Sequence, residues 1–178
     1  MQLVDSLKLA RASALIQHLR PKLDALGMPM PGRMLEDGTP DLDTFDVVDE
    51  ETVYNVITTV GRDFIHTQSY STSPAANGLN YIALSNDTLT ETSASTTLST
   101  EIAANGLTRA IGTVTHTTSA TTTTIAKTFT CATTSQAAQK AALFTASSSG
   151  TMNHALAFTQ RTLQVGDSLA VTFTITIS

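Results

Sequence analysis

The sequence predicts a mainly β protein: an antiparallel β-sandwich or jelly-roll-like domain over residues 68–178, preceded by a helical, acidic anchoring segment with two amphipathic helices over residues 1–67. Three observations predict it. The chain ends in an unbroken alternation, with Leu169, Val171, Phe173, Ile175 and Ile177 on one face and Ala170, Thr172, Thr174, Thr176 and Ser178 on the other. A period of two carried by β-branched and aromatic residues is what a half-buried strand requires. Upstream of it, 26 threonines fall from Thr88 to Thr176, and their stiff branched side chains fit a pleated surface. Charge is also divided unevenly: residues 1–67 carry 11 acidic and 6 basic side chains, whereas residues 68–178 carry 4 of each. Disorder is the competing reading of a hydroxyl-rich stretch, but apolar residues recur on one face throughout it.

In chain order, Ser6 is placed to cap a first helix whose stripe is Leu3, Leu7, Ala10, Ala14, Leu15 and Leu19. Pro21 breaks it, because its ring collides with the preceding turn. Gly27 closes a short turn after Lys22, and Met28-Pro29-Met30-Pro31 is held extended by its two X-Pro units. An acidic loop follows from Glu36 to Asp43. The second helix is predicted to begin near Asp49, where Asp49, Glu50 and Glu51 would complement the positive helix end, with a stripe of Val53, Val56, Ile57, Val60, Phe64 and Ile65. Gly61 weakens its middle. Each helix needs a surface to lie on, either this chain's own sheet or a neighbouring subunit.

Residues 69–78 read as a polar linker, with Ser73-Pro74 and Asn77-Gly78 as breakers. Strands are predicted at about 79–85, 107–117, 123–131, 155–159 and 163–165, ahead of the terminal one, with Val114, Ile125, Phe129, Leu156 and Phe158 supplying the core. Residues 88–100 form a loop, and Asn105-Gly106 and Ser148-Ser149-Gly150 form turns. Short strands with turns between them predict a sandwich or jelly roll. Their edges lack the lysines that block edge-to-edge pairing, which suits a surface covered in an assembly.

The net charge of −5, without a basic patch, argues against a nucleic-acid partner. Cys131 is the one cysteine, so neither an intrachain disulfide nor a Cys-based metal site is expected. It closes the strand face of Ile125 and Phe129 and reads as a buried small hydrophobe, with Lys127 the nearest cation that could activate a thiol. The start Met1-Gln2-Leu3-Val4-Asp5 lacks the features of a signal peptide, and no apolar run approaches the ~18 residues of a membrane span, so a soluble product made in a cytoplasm is expected. His18, His66, His116 and His154 never occur as a paired ligand motif, and no serine sits in a Gly-x-Ser-x-Gly elbow. Asp37, Asp41, Asp43 and Asp46 are the best metal candidates, but no start among them supplies both the glycine and the glutamate of an EF-hand. A solvated loop, or a complement to a basic partner surface, is the preferred reading. Tyr70 and Tyr81 are the aromatics available for stacking on sugars. No catalytic, cofactor-binding or metal residue is therefore named, and no cofactor is expected.

Several short pieces occur in an order that resembles a family of small β-rich structural proteins of tailed-bacteriophage virions. They are Gly61-Arg62-Asp63-Phe64-Ile65, then Tyr81 to Asp87, then Leu98-Ser99-Thr100-Glu101-Ile102, then Arg109 opening a strand. Leu143-Phe144 through Gly150-Thr151-Met152 follows, then Val165-Gly166-Asp167-Ser168-Leu169 and the alternating C-terminal strand. Where similar proteins often place an acidic residue and a glycine before the Leu-Phe pair, this chain has Lys140-Ala141-Ala142. The resemblance implies a non-enzymatic virion component, expected as a capsid decoration or cement protein, with a tail, neck or fibre-adaptor protein as the alternative and a carbohydrate-binding module a more remote one. Its implied partners are other virion proteins and further copies of itself, as in a trimer, and its implied location is the virion. Association through apolar and hydroxyl surfaces is expected to change little with salt.

Overall fold

The computed structural model of the protein describes residues 11–70 and 78–176. The chain runs β1 (Arg11–Pro21), β2 (Phe45–Tyr54), β3 (Val56–Ile57), α1 (Thr59–Tyr70), β4 (Tyr81–Ser85), β5 (Ala110–Ile111), β6 (Thr113–His116), β7 (Thr122–Thr130), β8 (Gln136–Phe144), β9 (Met152–Leu163) and β10 (Ser168–Thr176). Two antiparallel five-stranded sheets result, in the orders β2-β1-β10-β7-β6 and β3-β9-β8-β4-β5. Between them lies the main core, built from Ile16, Ile82, Leu84, Leu107, Ile125, Phe129, Leu143, Leu156, Leu163, Leu169, Val171 and Phe173 among others.

The two sheets share their flanks. β2 ends one sheet and, one residue later, continues as β3 at the end of the other; β5 and β6 do the same across Gly112. A Cβ at Gly112 would stand 2.8 Å from Ile125 Cγ2 and 3.1 Å from the Ala126 carbonyl oxygen, so only glycine fits this corner. Strands that cross between sheets cover part of the edges of the second one, β3 at Ala155 and His154 of β9 and β5 at Tyr81 and Ile82 of β4. Closure at β3 is narrow, with only Val56↔Ala155 and Ile57↔His154 paired. Side chains bridge the gap beyond it: Thr159 donates its N–H and its hydroxyl to Glu51, and Arg161 reaches Asp49 at 2.8 Å.

The N-terminal half departs from the expected helices. Residues 11–57 contribute three strands to the sandwich, so the two predicted helices are not seen and residues 11–57 are not a separate helical anchor. Leu3, Ser6, Leu7 and Ala10 lie outside the described residues. From Arg11 the competing period of two wins: Ala12, Ala14, Ile16 and His18 are buried, while Ser13, Leu15 and Gln17 are half-buried. β1 is fixed by partners distant in sequence, pairing Arg11↔Thr176 through Leu19↔Ser168 with β10 and Ser13↔Tyr54 through Pro21↔Phe45 with β2. Such pairing overrides local helix propensity. Asp49, Glu50 and Glu51 belong to β2. The observed helix starts ten residues later, capped by Thr58, whose hydroxyl accepts the Gly61 N–H at 3.0 Å and donates to the Met152 carbonyl at 2.6 Å.

Two corrections concern the β half. β8 was not expected, because Gln136–Phe144 is rich in alanine and lacks alternation. It is buried on both faces, with Ala138, Ala141 and Leu143 in the main core and Ala142 and Phe144 in an outer cluster with Ala83, Leu98, Met152 and Ala155. Val114, expected in the core, is 51% exposed, because β6 lies on the flank beyond the Gly112 corner. Ile125, Phe129, Leu156, Phe158, Leu169, Val171 and Phe173 are buried as expected. Ile177 and Ser178, like Ser73-Pro74 and Asn77 of the linker, lie outside the described residues.

Loops clad both outer faces. Residues 22–44, between β1 and β2, form two short arms. One is bridged at Leu23↔Pro29 and the other at Met34↔Pro40. Gly32 packs on Phe45, which covers Leu19 and Ala170 from outside, and Gly38 lies against Thr113 and the Ala126 carbonyl. On the other sheet, the loop after β4 lays Leu98 on the outer cluster and brings Glu91 over Lys140.

Candidate functional site

Residues from separate stretches of the sequence meet at Arg109. Its Nε and Nη2 donate to the two carboxylate oxygens of Glu101, at 2.9 and 2.5 Å. Nη1 donates to the carbonyls of Ala146 and Ser149, at 3.1 and 2.7 Å. The guanidinium carbon lies 3.6 Å from the centroid of the Phe144 ring. Tyr81 is in register with Phe144 and packs on the same outer cluster. Gly61 brings α1 onto β9, where Asn153 Nδ2 donates to the Gly61 carbonyl at 2.8 Å. Planar bidentate pairing, carbonyl capture and ring stacking together use the chemistry that distinguishes arginine from lysine. Here they tie the 98–109 loop to the β8–β9 turn.

A second centre forms around Asp167 in the turn before β10. Its carboxylate accepts from Arg20 Nε at 3.1 Å and Nη2 at 3.2 Å, from His18 Nε2 at 2.9 Å and from the Gln164 N–H at 3.0 Å. Burial alone would raise this carboxyl's pKa, but the hydrogen bonds from Arg20, His18 and Gln164, with the charge of Arg20, outweigh it and hold the group below the ordinary aspartate value. The hydrogen bond to Asp167, and then its charge, raise Arg20 in turn. Chemically this is a joint between β1 and β10, with every donor aimed at one fixed acceptor.

The remaining buried charges are also paired. Lys140, 1% exposed, donates to Glu91 at 3.0 Å. Arg161 is buried against Asp49 and Glu51.

The four aspartates of the acidic loop do not converge. Asp37 accepts from the hydroxyl and N–H of Thr39, and the hydroxyl bond is the main reason its pKa is lowered. Asp41 is lowered chiefly by the N–H of Asp43 and then by Arg33, which binds its carboxylate. Asp43 and Asp46 point to solvent. Among the described residues, no three His, Cys, Asp or Glu side chains gather as a metal-ligand set.

The histidines are dispersed. His18 serves Asp167, and His116 is exposed with Nδ1 2.9 Å from the Thr122 carbonyl oxygen. His66 falls on α1 with its side chain outside the described residues. His154 is buried with neither ring nitrogen hydrogen-bonded, and burial lowers its pKa to about 4. Cys131 lies in the main core, with Sγ 3.0 Å from the Thr134 carbonyl, and Lys127 is half-buried on β7 opposite Val171. Tyr81 is half-buried, the Tyr70 side chain lies outside the described residues, and the exposed tyrosine among the described residues is Tyr54, which sequence reasoning passed over.

Sequence reasoning also passed over the pairs Arg109–Glu101, Lys140–Glu91 and Arg161–Asp49. The one signal was the scarcity of charge: six of the eight charged side chains of residues 68–178 end in ion pairs. No helix among the described residues is long and apolar enough to cross a membrane. Comparison with known protein families, characterised proteins and solved structures returned no match for this chain.

Proposed function

We propose that the chain is a non-enzymatic structural component of a tailed-bacteriophage virion, and specifically a capsid decoration or cement protein that binds between capsid subunits. The observation that carries this reading is the meeting of the family-like pieces at Arg109, where Glu101, Phe144 and the carbonyls of Ala146 and Ser149 come from separate stretches of the sequence. The buried charges fit the same role. Lys140, Arg161 and Asp167 are each matched to partners within the chain and tie separate segments of the fold together.

The test is to image purified particles with gold-labelled antibody against the chain. Label distributed over the head supports a decoration protein, whereas label at the neck or tail assigns the chain to the alternative, a tail, neck or fibre-adaptor protein. Particles without label contradict the virion reading.

A further inference from the structure

We propose that residues 56–61, β3 with the start of α1, form a latch that acid releases, with protonation of the buried His154 ring as the trigger. The proposal concerns the chain by itself and does not rest on the virion reading. Among the described residues, six buried side-chain nitrogen and oxygen atoms have no hydrogen-bond partner. Four of the six belong to residues at this latch: Asn55 Nδ2, Asn153 Oδ1 and both ring nitrogens of His154. Buried polar atoms are nearly always paired, so orphans concentrated in one place mark a closed form that is under-satisfied there.

The latch is short. β3 pairs with β9 at Val56↔Ala155 and Ile57↔His154, against nine residue pairs between β1 and β10. Next to it, Thr58 donates its N–H to the Asn153 carbonyl at 3.0 Å and its hydroxyl to the Met152 carbonyl at 2.6 Å. Asn153 Nδ2 donates to the Gly61 carbonyl at 2.8 Å. The Thr59 N–H is held elsewhere, on the Ser93 carbonyl at 2.7 Å. Both strand pairs and the bonds of Thr58 and Gly61 thus fall on residues 152–155 of β9, and His154 is one of them.

His154, 1% exposed, stands in register with Ile57 on one side and Leu143 on the other, two side chains that accept no hydrogen bond. A neutral ring tolerates such surroundings better than an imidazolium, which is charged and a donor at both nitrogens. Among the described residues no charge on the elements packed against β9 stands by to offset it. Lys140 of β8 is tied to Glu91, Asp49 and Glu51 of β2 to Arg161, and Glu50 to Gln17. His18 and Arg20 of β1 are tied to Asp167. Asp46 and Tyr54 of β2 and Arg62 and Asp63 of α1 are exposed, β3 carries no charge, and the side chains of Arg11 and His66 lie outside the described residues. Burial is the one cause that lowers the ring's pKa, to about 4. The closed form therefore refuses a proton that the parted form takes up below pH 6.5, and release grows as pH falls from 6.5 towards 4. Parting β3 is the small opening that brings water to the ring while the nine pairs of β1 with β10 stay made.

The test is amide hydrogen exchange of the purified full chain, read residue by residue by NMR at about pH 7.5 and about pH 5. The Thr58 and Gly61 amides are expected to exchange before those of Leu169, Val171 and Phe173, as a local opening requires. Their protection factors should fall about thirtyfold between the two pH values, as follows for a ring that titrates at 6.5 when exposed and at about 4 when closed in. In His154→Leu the same amides should keep one protection factor at both pH values. Thr58 and Gly61 amides that exchange only together with those of β10, or whose protection does not fall with acid, overturn the proposal. A fall undiminished in His154→Leu overturns it too, and if that variant does not fold the wild-type measurement decides alone.

Discussion

Arg109 lies flat over Phe144, its guanidinium carbon 3.6 Å from the ring centroid, while the edge of the same guanidinium grips Glu101. Lysine can supply the charge but neither the fork nor the planar stack. Arg109→Lys should therefore destabilise the fold by about 2–4 kcal/mol, from lost charged hydrogen bonds and lost stacking. Urea unfolding measures it. A loss below ~0.5 kcal/mol would show that the clamp does not hold the loop.

Lys140 and Glu91 test whether a buried pair is needed or only tolerated. Lys140→Met leaves a shielded carboxylate without its counter-ion and should cost about 3–5 kcal/mol. Removing both charges in Lys140→Met with Glu91→Leu should recover most of that loss, because a packed apolar pair avoids desolvation. A double variant as unstable as the single one would mean that the pair contributes net stability.

His154 sets a pH window. Burial favours its neutral form and lowers its pKa from 6.5 to about 4. The unfolded chain therefore takes up a proton below pH 6.5 that the folded chain refuses, and stability falls as pH drops from 6.5 towards 4. The full effect is about 2–4 kcal/mol, at 1.36 kcal/mol per unit. Asp167, whose pKa is lowered, adds a further loss at more acid pH, below the ordinary aspartate value. His154→Leu should flatten the upper window and leave the lower one. An unchanged slope between pH 6.5 and 4 in that variant would assign the titration elsewhere.

Gly61→Ala separates helix propensity from packing. In an exposed helix the change would stabilise by about 1 kcal/mol. Here the added Cβ would fall 2.6 Å from both the Cα and the carbonyl oxygen of Asn153, backbone atoms that cannot step aside cheaply. A net destabilisation of about 1–3 kcal/mol is expected by thermal melting. A stabilised variant would show that α1 does not seat on β9.

β10 was legible because nothing competes with its alternation: Leu169, Val171 and Phe173 face the core, and threonines intervene. β1 was not, because Ala14, Leu15 and Leu19 also satisfy a helical stripe. Its true partners, from Ser168 to Thr176, lie about 150 residues away in sequence. The start of α1 was misplaced because three acidic residues at 49–51 imitate a helix N-terminus, while the actual cap, Thr58, resembles the other threonines. β8 was not legible because both of its faces are covered, so its alanines and Lys140 show no alternation of apolar and polar residues. Of the candidate site, Glu101, Arg109 and Phe144 were visible only as separate residues. Their convergence on Arg109 was not legible, since Glu101 and Phe144 are brought together by the fold rather than by spacing.

The measurement that bears most directly on the central claim is quantitative mass spectrometry of density-purified particles assembled with the full chain. A structural component of the virion is expected in many copies, at a ratio to the major shell protein that stays constant through repeated purification. A chain found free in the lysate, and lost from particles to trace amounts on purification, would contradict it.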